Sequence, residues 1–144
     1  QNPAVETLCR FESDLRHHFY VLVREARVES KDCIFCKIIR KEVPTAIVYE
    51  DDLVMAMEDL NPKAPTHYLI LPKKHVENLL YLEDDDALLM WQMAKAVQAL
   101  GKGLENPQAF NIISNNGEKA GQSVFHMHWH FLSGRNIYDS GFEL

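Results

Sequence analysis

The chain has 144 residues, 47% of them hydrophobic and 25% charged, with a net charge of −6 at pH 7. That length supports one domain with a real core and leaves room for one added segment. The acidic balance argues against a nucleic-acid-binding surface, although a small phosphorylated ligand could still sit in a local pocket. No apolar run reaches the length of a membrane span, no signal-peptide pattern is legible, and no membrane partner is expected. Cys9 stands alone and Cys33 pairs closely with Cys36, which is too little for a secreted disulfide framework. A reducing compartment fits these thiols, and the cytoplasm is the expected address.

Residues 1–31 read as an N-terminal extension. Leu8, Leu15, Phe19, Leu22 and Ala26 fall at helical spacing and predict one amphipathic helix. Residues 32–144 read as the main domain. Cys33 to Arg40 predicts a short helix that ends before Pro44. Ala46–Glu50 and Leu53–Glu58 are strand-like, and Asp51-Asp52 between them marks a hairpin turn. His67–Leu71 is the next strand. Asp84, Asp85 and Asp86 then open a long helix with Leu89, Met93, Ala96, Val97 and Leu100 as its buried stripe. The acidic run suits the positive end of the helix dipole, and Gly101 and Gly103 suit its end. Ala109–Ser114 and Val124–Leu132 complete an α+β fold on a mainly antiparallel sheet.

The last of these strands carries the most informative residues. His126, His128 and His130 alternate with Met127, Trp129 and Phe131. In a strand the three imidazoles share one face, about 7 Å apart at each step. Phe125, Met127, Trp129 and Phe131 would line the opposite, core-facing side. Imidazole acts near neutral pH as nucleophile, general acid or base, or metal ligand, and alternation alone does not choose between these. Cys33-x-x-Cys36 needs two further donors to hold a metal, and His75 and His126 are available. Two thiolates and two imidazoles would close a tetrahedral zinc site, and closed sites are normally structural. Residues 115–123 (Asn-Asn-Gly-Glu-Lys-Ala-Gly-Gln-Ser) supply glycines, amides, a hydroxyl and a lysine suited to an anion. Lys73 and Lys74 could add positive potential.

The run from His126 to Leu132 resembles the signature of the histidine triad (HIT) superfamily. The likeness extends through Ile34-Phe35-Cys36-Lys37-Ile38-Ile39, Ala64-Pro65-Thr66-His67, Pro72-Lys73-Lys74-His75 and Gly121-Gln122-Ser123-Val124. It covers nearly all of residues 32–135 and is strongest to the Hint branch, the histidine triad nucleotide-binding proteins.

The resemblance implies a HIT-like fold and a homodimeric hydrolase acting at the α-phosphate of purine nucleotides, with adenosine 5′-phosphoramidates and AMP as typical ligands. It implies His128 as nucleophile, with His67 and His130 orienting it or binding phosphate. Ser123 and Gln122 would contact phosphate and leaving group, near Gly121 and Asn115. Asp59 matches the ribose carboxylate, and Ile34, Phe35, Ile38, Met57 and Leu60 match the purine slot. Cys33, Cys36, His75 and His126 match the superfamily's structural zinc ligands, and no organic cofactor is implied. Glu58 departs from the Hint pattern at a position bearing on purine preference. Three other functions compete with this one. One is a dinucleoside polyphosphate hydrolase or nucleotidyltransferase of the same superfamily. Another is a zinc hydrolase using His126, His128 and His130 as ligands, and the third is a nucleotide-binding scaffold.

Overall fold

The computed structural model describes residues 32–105 and 108–141, so the helix expected within 1–31 lies outside the described residues. The short helix α1 (Ile34–Ile39) leads into β1 (Ile47–Glu50), β2 (Val54–Glu58) and β3 (Thr66–Pro72). The long helix α2 (Ala87–Lys102) follows, then β4 (Phe110–Ser114) and β5 (Trp129–Ser133). The strands form an antiparallel sheet in the order β1-β2-β3-β5-β4. This is the expected α+β architecture, with one long and one short helix. No described helix is long and apolar enough to cross a membrane.

The β1–β2 hairpin turns at Asp51. Its carboxylate accepts from the N–H groups of Leu53 (2.8 Å) and Val54 (2.7 Å), and Tyr49 donates to its other oxygen. Beyond the turn, β2 is apolar on both faces because helices cover both. Val54, Ala56, Ile70 and Phe131 pack under Leu89, Met93 and Ala96 of α2. Met55, Met57, Leu69 and Leu71 face the other way, onto Phe35 and Ile38 of α1.

A 3-10 turn over Asp84–Asp86 precedes α2, with a capping box between Glu83 and Asp86. Lys74 binds the buried Asp86 carboxylate at 2.8 and 3.0 Å. Gly101 lies inside the helix rather than ending it. A Cβ there would stand 2.7 Å from the Phe110 ring, so close packing explains this glycine.

The last strand is shorter than the expected 124–132. It begins at Trp129, and residues 124–128 form bends and irregular backbone. There the Met127 N–H donates to the Val76 carbonyl at 2.6 Å instead of to β3, and the Pro72 and His126 carbonyls accept imidazole N–H groups from His126 and His128. Pro72 also has no N–H to offer. The alternation nevertheless survives, with Met127 and Phe131 buried against the α2 side and Trp129 packed beside them. Phe125 is the exception. It is 47% exposed and not core.

Met93 is fully buried at the centre of the larger cluster. Met93→Ala should lower the unfolding free energy by about 2–5 kcal/mol. Urea denaturation would show a reduced midpoint with an unchanged m-value.

Candidate active site and metal centre

Helix α1 brings Cys33, its N-cap, and Cys36, in its first turn, against the segment after β3. The ligand atoms of Cys33, Cys36, His75 and His126 all lie within 4.8 Å of one another. Cys36 Sγ is 3.3 Å from His75 Nδ1, and both sulfurs are 3.6 Å from His126 Nδ1. A tetrahedral zinc bound by thiolate and imidazole needs sulfur-to-nitrogen edges of about 3.5 Å, so the donor set fits. His126 Nε2–H donates to the Pro72 carbonyl at 2.8 Å, which leaves the Nδ1 lone pair aimed into the cluster. Burial pushes this imidazole down to about 4, and burial lowers His75 as well. Both are therefore neutral donors at pH 7.

The next histidine turns away from that cluster. His128 is 6% exposed, and its Nδ1–H donates to the His126 carbonyl at 2.7 Å. Because a carbonyl can only accept, Nδ1 carries a proton, and in the neutral ring the lone pair is on Nε2. His126 and His128 thus have separate tasks, contrary to a catalytic metal bound by all three histidines.

A second chain of bonds sets His130. The Lys63 backbone N–H donates to His67 Nδ1 at 3.1 Å, which places the His67 proton on Nε2. That N–H meets His130 Nδ1 at 2.9 Å, leaving His130 with a donor at Nε2. Asp59 lies close, 3.4 Å from His67 Nε2 and 4.0 Å from His130 Nδ1. Burial, then the neighbouring His128 and His67 rings, push His130 down to about 4. Burial also lowers His67, against the opposing pull of Asp59. Asp59, His67 and His130 are close enough to resemble a metal site. The proton on His67 Nε2 points into the group, however, so they form a hydrogen-bonded relay instead.

The loop between β4 and β5 is set by Gln122, which is 2% exposed. Its amide accepts from Gly117 N–H at 2.8 Å and donates to the Glu77 and Val124 carbonyls. Both ends of the side chain are therefore engaged in the loop rather than offered to a ligand. Gly121 has φ of +88°, and Asn115 approaches where its Cβ would be. Exposed Ser123 follows. Asn115, Ser123, Asp59, His67 and His130 share a cleft of about 1150 Å³. Lys63, Asn111, Arg135 and Tyr138 line it too, and sequence reasoning missed them. For Asn111 the signal was there, since it pairs with Leu132 two residues from His130, on the same sheet face.

Other expected residues are dispersed. Phe35, Ile38 and Met57 are core, whereas Ile34 is 42% and Leu60 97% exposed. Lys73 pairs with Glu50 and Lys74 with Asp86, so these ammonium groups are engaged away from the loop.

The HIT domain model matches residues 40–137. The chain belongs to the HIT family. Among its HIT relatives, an uncharacterised HIT-like protein of Synechocystis is 43% identical over 106 residues, covering 74% of this chain and 93% of that protein. The protein hit of Bacillus subtilis is 42% identical, covering 72% and 71%. A solved HIT family hydrolase from Clostridium thermocellum superposes with a TM-score of 0.72 at 39% identity, over 75% of this chain and 95% of its own. A histidine triad protein from Clostridium difficile gives 0.70 at 41%, over 76% and 96%. The domain match begins after Cys33 and Cys36, so the case for a metal centre in this HIT protein rests on the donor geometry.

Two outcomes follow for the purified full chain. About one zinc per chain is expected by elemental analysis, and Cys36→Ala should lower both that ratio and the melting temperature. An unchanged ratio would show that the cluster does not hold the metal. His130, moved from 6.5 to about 4, makes the folded state bind fewer protons than the unfolded chain between those values. Its stabilising contribution is full above about 6.5 and lost as pH falls to about 4. Urea midpoints should fall across this window, and His130→Asn should remove part of the slope. A His130→Asn profile as steep as wild type would assign the loss to other groups.

Proposed function

We propose that this HIT protein is a purine nucleoside phosphoramidase of the Hint type, cleaving at the α-phosphate through a nucleotidyl-histidine intermediate. The observation that carries this reading is the 2.7 Å bond from His128 Nδ1–H to the His126 carbonyl. In the neutral ring it would leave Nε2 free, with the His130 ring 5.1 Å away between centroids, although His128 itself is buried and does not line the cleft. Nucleophilic imidazole catalysis needs that tautomer held before substrate arrives. Similar solved proteins from Clostridium thermocellum and Legionella pneumophila are HIT family hydrolases, which supports hydrolysis as the reaction class.

In this mechanism His128 Nε2 attacks the α-phosphorus and the bond to the leaving nitrogen breaks. The leaving amine takes a proton from solvent, relayed through the Ser123 hydroxyl, which is reprotonated in the same step, and the phosphoimidazolium is stabilised by the His126 carbonyl at Nδ1–H. His130 Nε2–H donates to a phosphate oxygen whose charge grows in the transition state. Water then attacks phosphorus, the bond to Nε2 breaks, AMP leaves, and the proton lost by water passes to solvent. Asp59 would bind the ribose hydroxyls. Zinc held by Cys33, Cys36, His75 and His126 would be structural, tying α1 to the histidine segment.

A homodimer accompanies this reading. Strand β4 is an edge strand with Phe110 and Ile112 more than a third exposed, a surface suited to a second copy. Dinucleoside polyphosphates are a second substrate class, favoured by one observation. Lys63 and Arg135 both line the cleft and suit an anionic leaving group.

Single-turnover reaction with adenosine 5′-phosphoramidate, followed by intact mass, tests the proposal. Wild type should gain one adenylate transiently, whereas His128→Ala should form none and lose turnover by roughly 10³–10⁶-fold. AMP affinity should change little. Turnover near the wild-type rate in His128→Ala would overturn the assignment.

A further inference from the structure

The cleft beside His67 and His130 carries two cations, Lys63 and Arg135, and one carboxylate, Asp59. Its histidines are neutral at pH 7, so this acidic chain places a local positive excess at its site. Three other lysines around the sheet are neutralised: Lys41 and Lys73 by Glu50, and Lys74 by Asp86. Lys63 and Arg135 are exposed, and neither forms an ion pair among the described residues. Asp59 is engaged elsewhere. One of its oxygens accepts from the Asn61 N–H at 2.7 Å, and the other stands 3.4 Å from His67 Nε2.

One peptide segment ties both cations to the histidine relay. The Lys63 N–H donates to His67 Nδ1 at 3.1 Å, and the Lys63 carbonyl accepts from Arg135 Nη1 at 3.4 Å. Burial lowers the His67 pKa, Asp59 opposes it, and the nearby Lys63 ammonium adds to the lowering. The α-phosphate of a phosphoramidate bears a single negative charge, for which His130 and Ser123 already serve. Two further cations leave room for a second anion. In the proposed reaction the leaving group is an amine, and the anion an amine most simply carries is a carboxylate. We propose that Lys63 and Arg135 select leaving amines that bear a carboxylate, so that the preferred substrates are adenosine 5′-phosphoramidates of amino acids. The proposal rests on the phosphoramidase reading. Hydrolysis consumes one water, breaks the phosphorus–nitrogen bond and releases AMP and the amino acid, whose carboxylate takes no part in bond making. A guanidinium fork matches a carboxylate, and the ammonium adds a point charge. Charges on an exposed rim act weakly and are screened by salt, so the selection is severalfold.

The test compares the adenosine 5′-phosphoramidates of glycine and of glycinamide, which differ by one charge and little in shape. The full-length wild type should favour the glycine compound in kcat/KM by about fivefold at low ionic strength, and by less in about 0.5 M KCl. Lys63→Gln and Arg135→Gln should each cut this preference by about two- to fivefold. Lys95→Gln removes the same charge from α2, outside the cleft, and should keep the wild-type preference. Equal losses on both compounds would place the cations on the α-phosphate, and an unchanged preference in both variants would leave them solvated. Either result overturns the proposal. Diadenosine triphosphate separates a carboxylate from a phosphate as the second anion. A larger Lys63→Gln loss on it than on the glycine compound would assign the cations to a polyphosphate and overturn the amino-acid reading. Should wild type turn over neither phosphoramidate, the proposed function fails by itself. Calorimetry of the two intact compounds then decides the selection: tighter binding of the glycine compound retains it, and equal dissociation constants reject it.

Discussion

The hydrogen bond from His128 Nδ1–H to the carbonyl of His126 decides which nitrogen of the central histidine is free, and much of the site is arranged to hold its acceptor still. His126 is fully buried, with one ring nitrogen bonded to the Pro72 carbonyl and the other against two sulfurs. A carbonyl on a residue tied at both ring nitrogens has little freedom to turn away. Its backbone also departs from the sheet here, where the Met127 N–H donates to the Val76 carbonyl at 2.6 Å rather than to β3.

The second constraint is electrostatic. An isolated imidazole near pH 6.5 would be partly charged at physiological pH, and two charged rings 2.9 Å apart would repel. Burial removes that charge by disfavouring the protonated form, and the Lys63 backbone N–H sets the direction of the remaining protons. The relay ends in a donor at His130 beside a lone pair at His128, a pairing suited to an anionic centre under attack. A chain with net charge −6 can provide this because the site uses neutral donors and local cations rather than a broad basic surface.

The sheet makes both constraints affordable by being covered on its two faces. Helix α2 closes one side with Met93 and Ala96, and α1 closes part of the other with Phe35 and Ile38. The α1 side stops at His67 and His130, where the cleft begins, while Phe110 and Ile112 of β4, each more than a third exposed, pair with Ser133 and Phe131 on the α2 side. The α1 core and the histidine cluster therefore share one sheet face, and Phe35 lies in direct contact with the His126 and His128 rings.

The sequence by itself determined the elements, because hydrophobic periodicity and turn chemistry are local. The Asp51 turn, the α2 stripe through Leu89, Met93 and Ala96, and the strand at His67 all follow from short-range patterns. The four metal-type donors were legible as residue types, and the likeness to the histidine triad motif placed His128. Only the tertiary structure decided how those residues are used. Whether Gln122 faces a ligand or staples a loop depends on the Glu77 carbonyl, 45 positions away. Lys73 and Lys74 lost any role as anion binders to Glu50 and Asp86, partners that composition does not reveal. The division of tasks among His126, His128 and His130 depends on the Pro72 carbonyl, the Lys63 N–H and the sulfurs of α1. Proton position in an imidazole is set by what each nitrogen meets in space, and a one-dimensional pattern does not contain that.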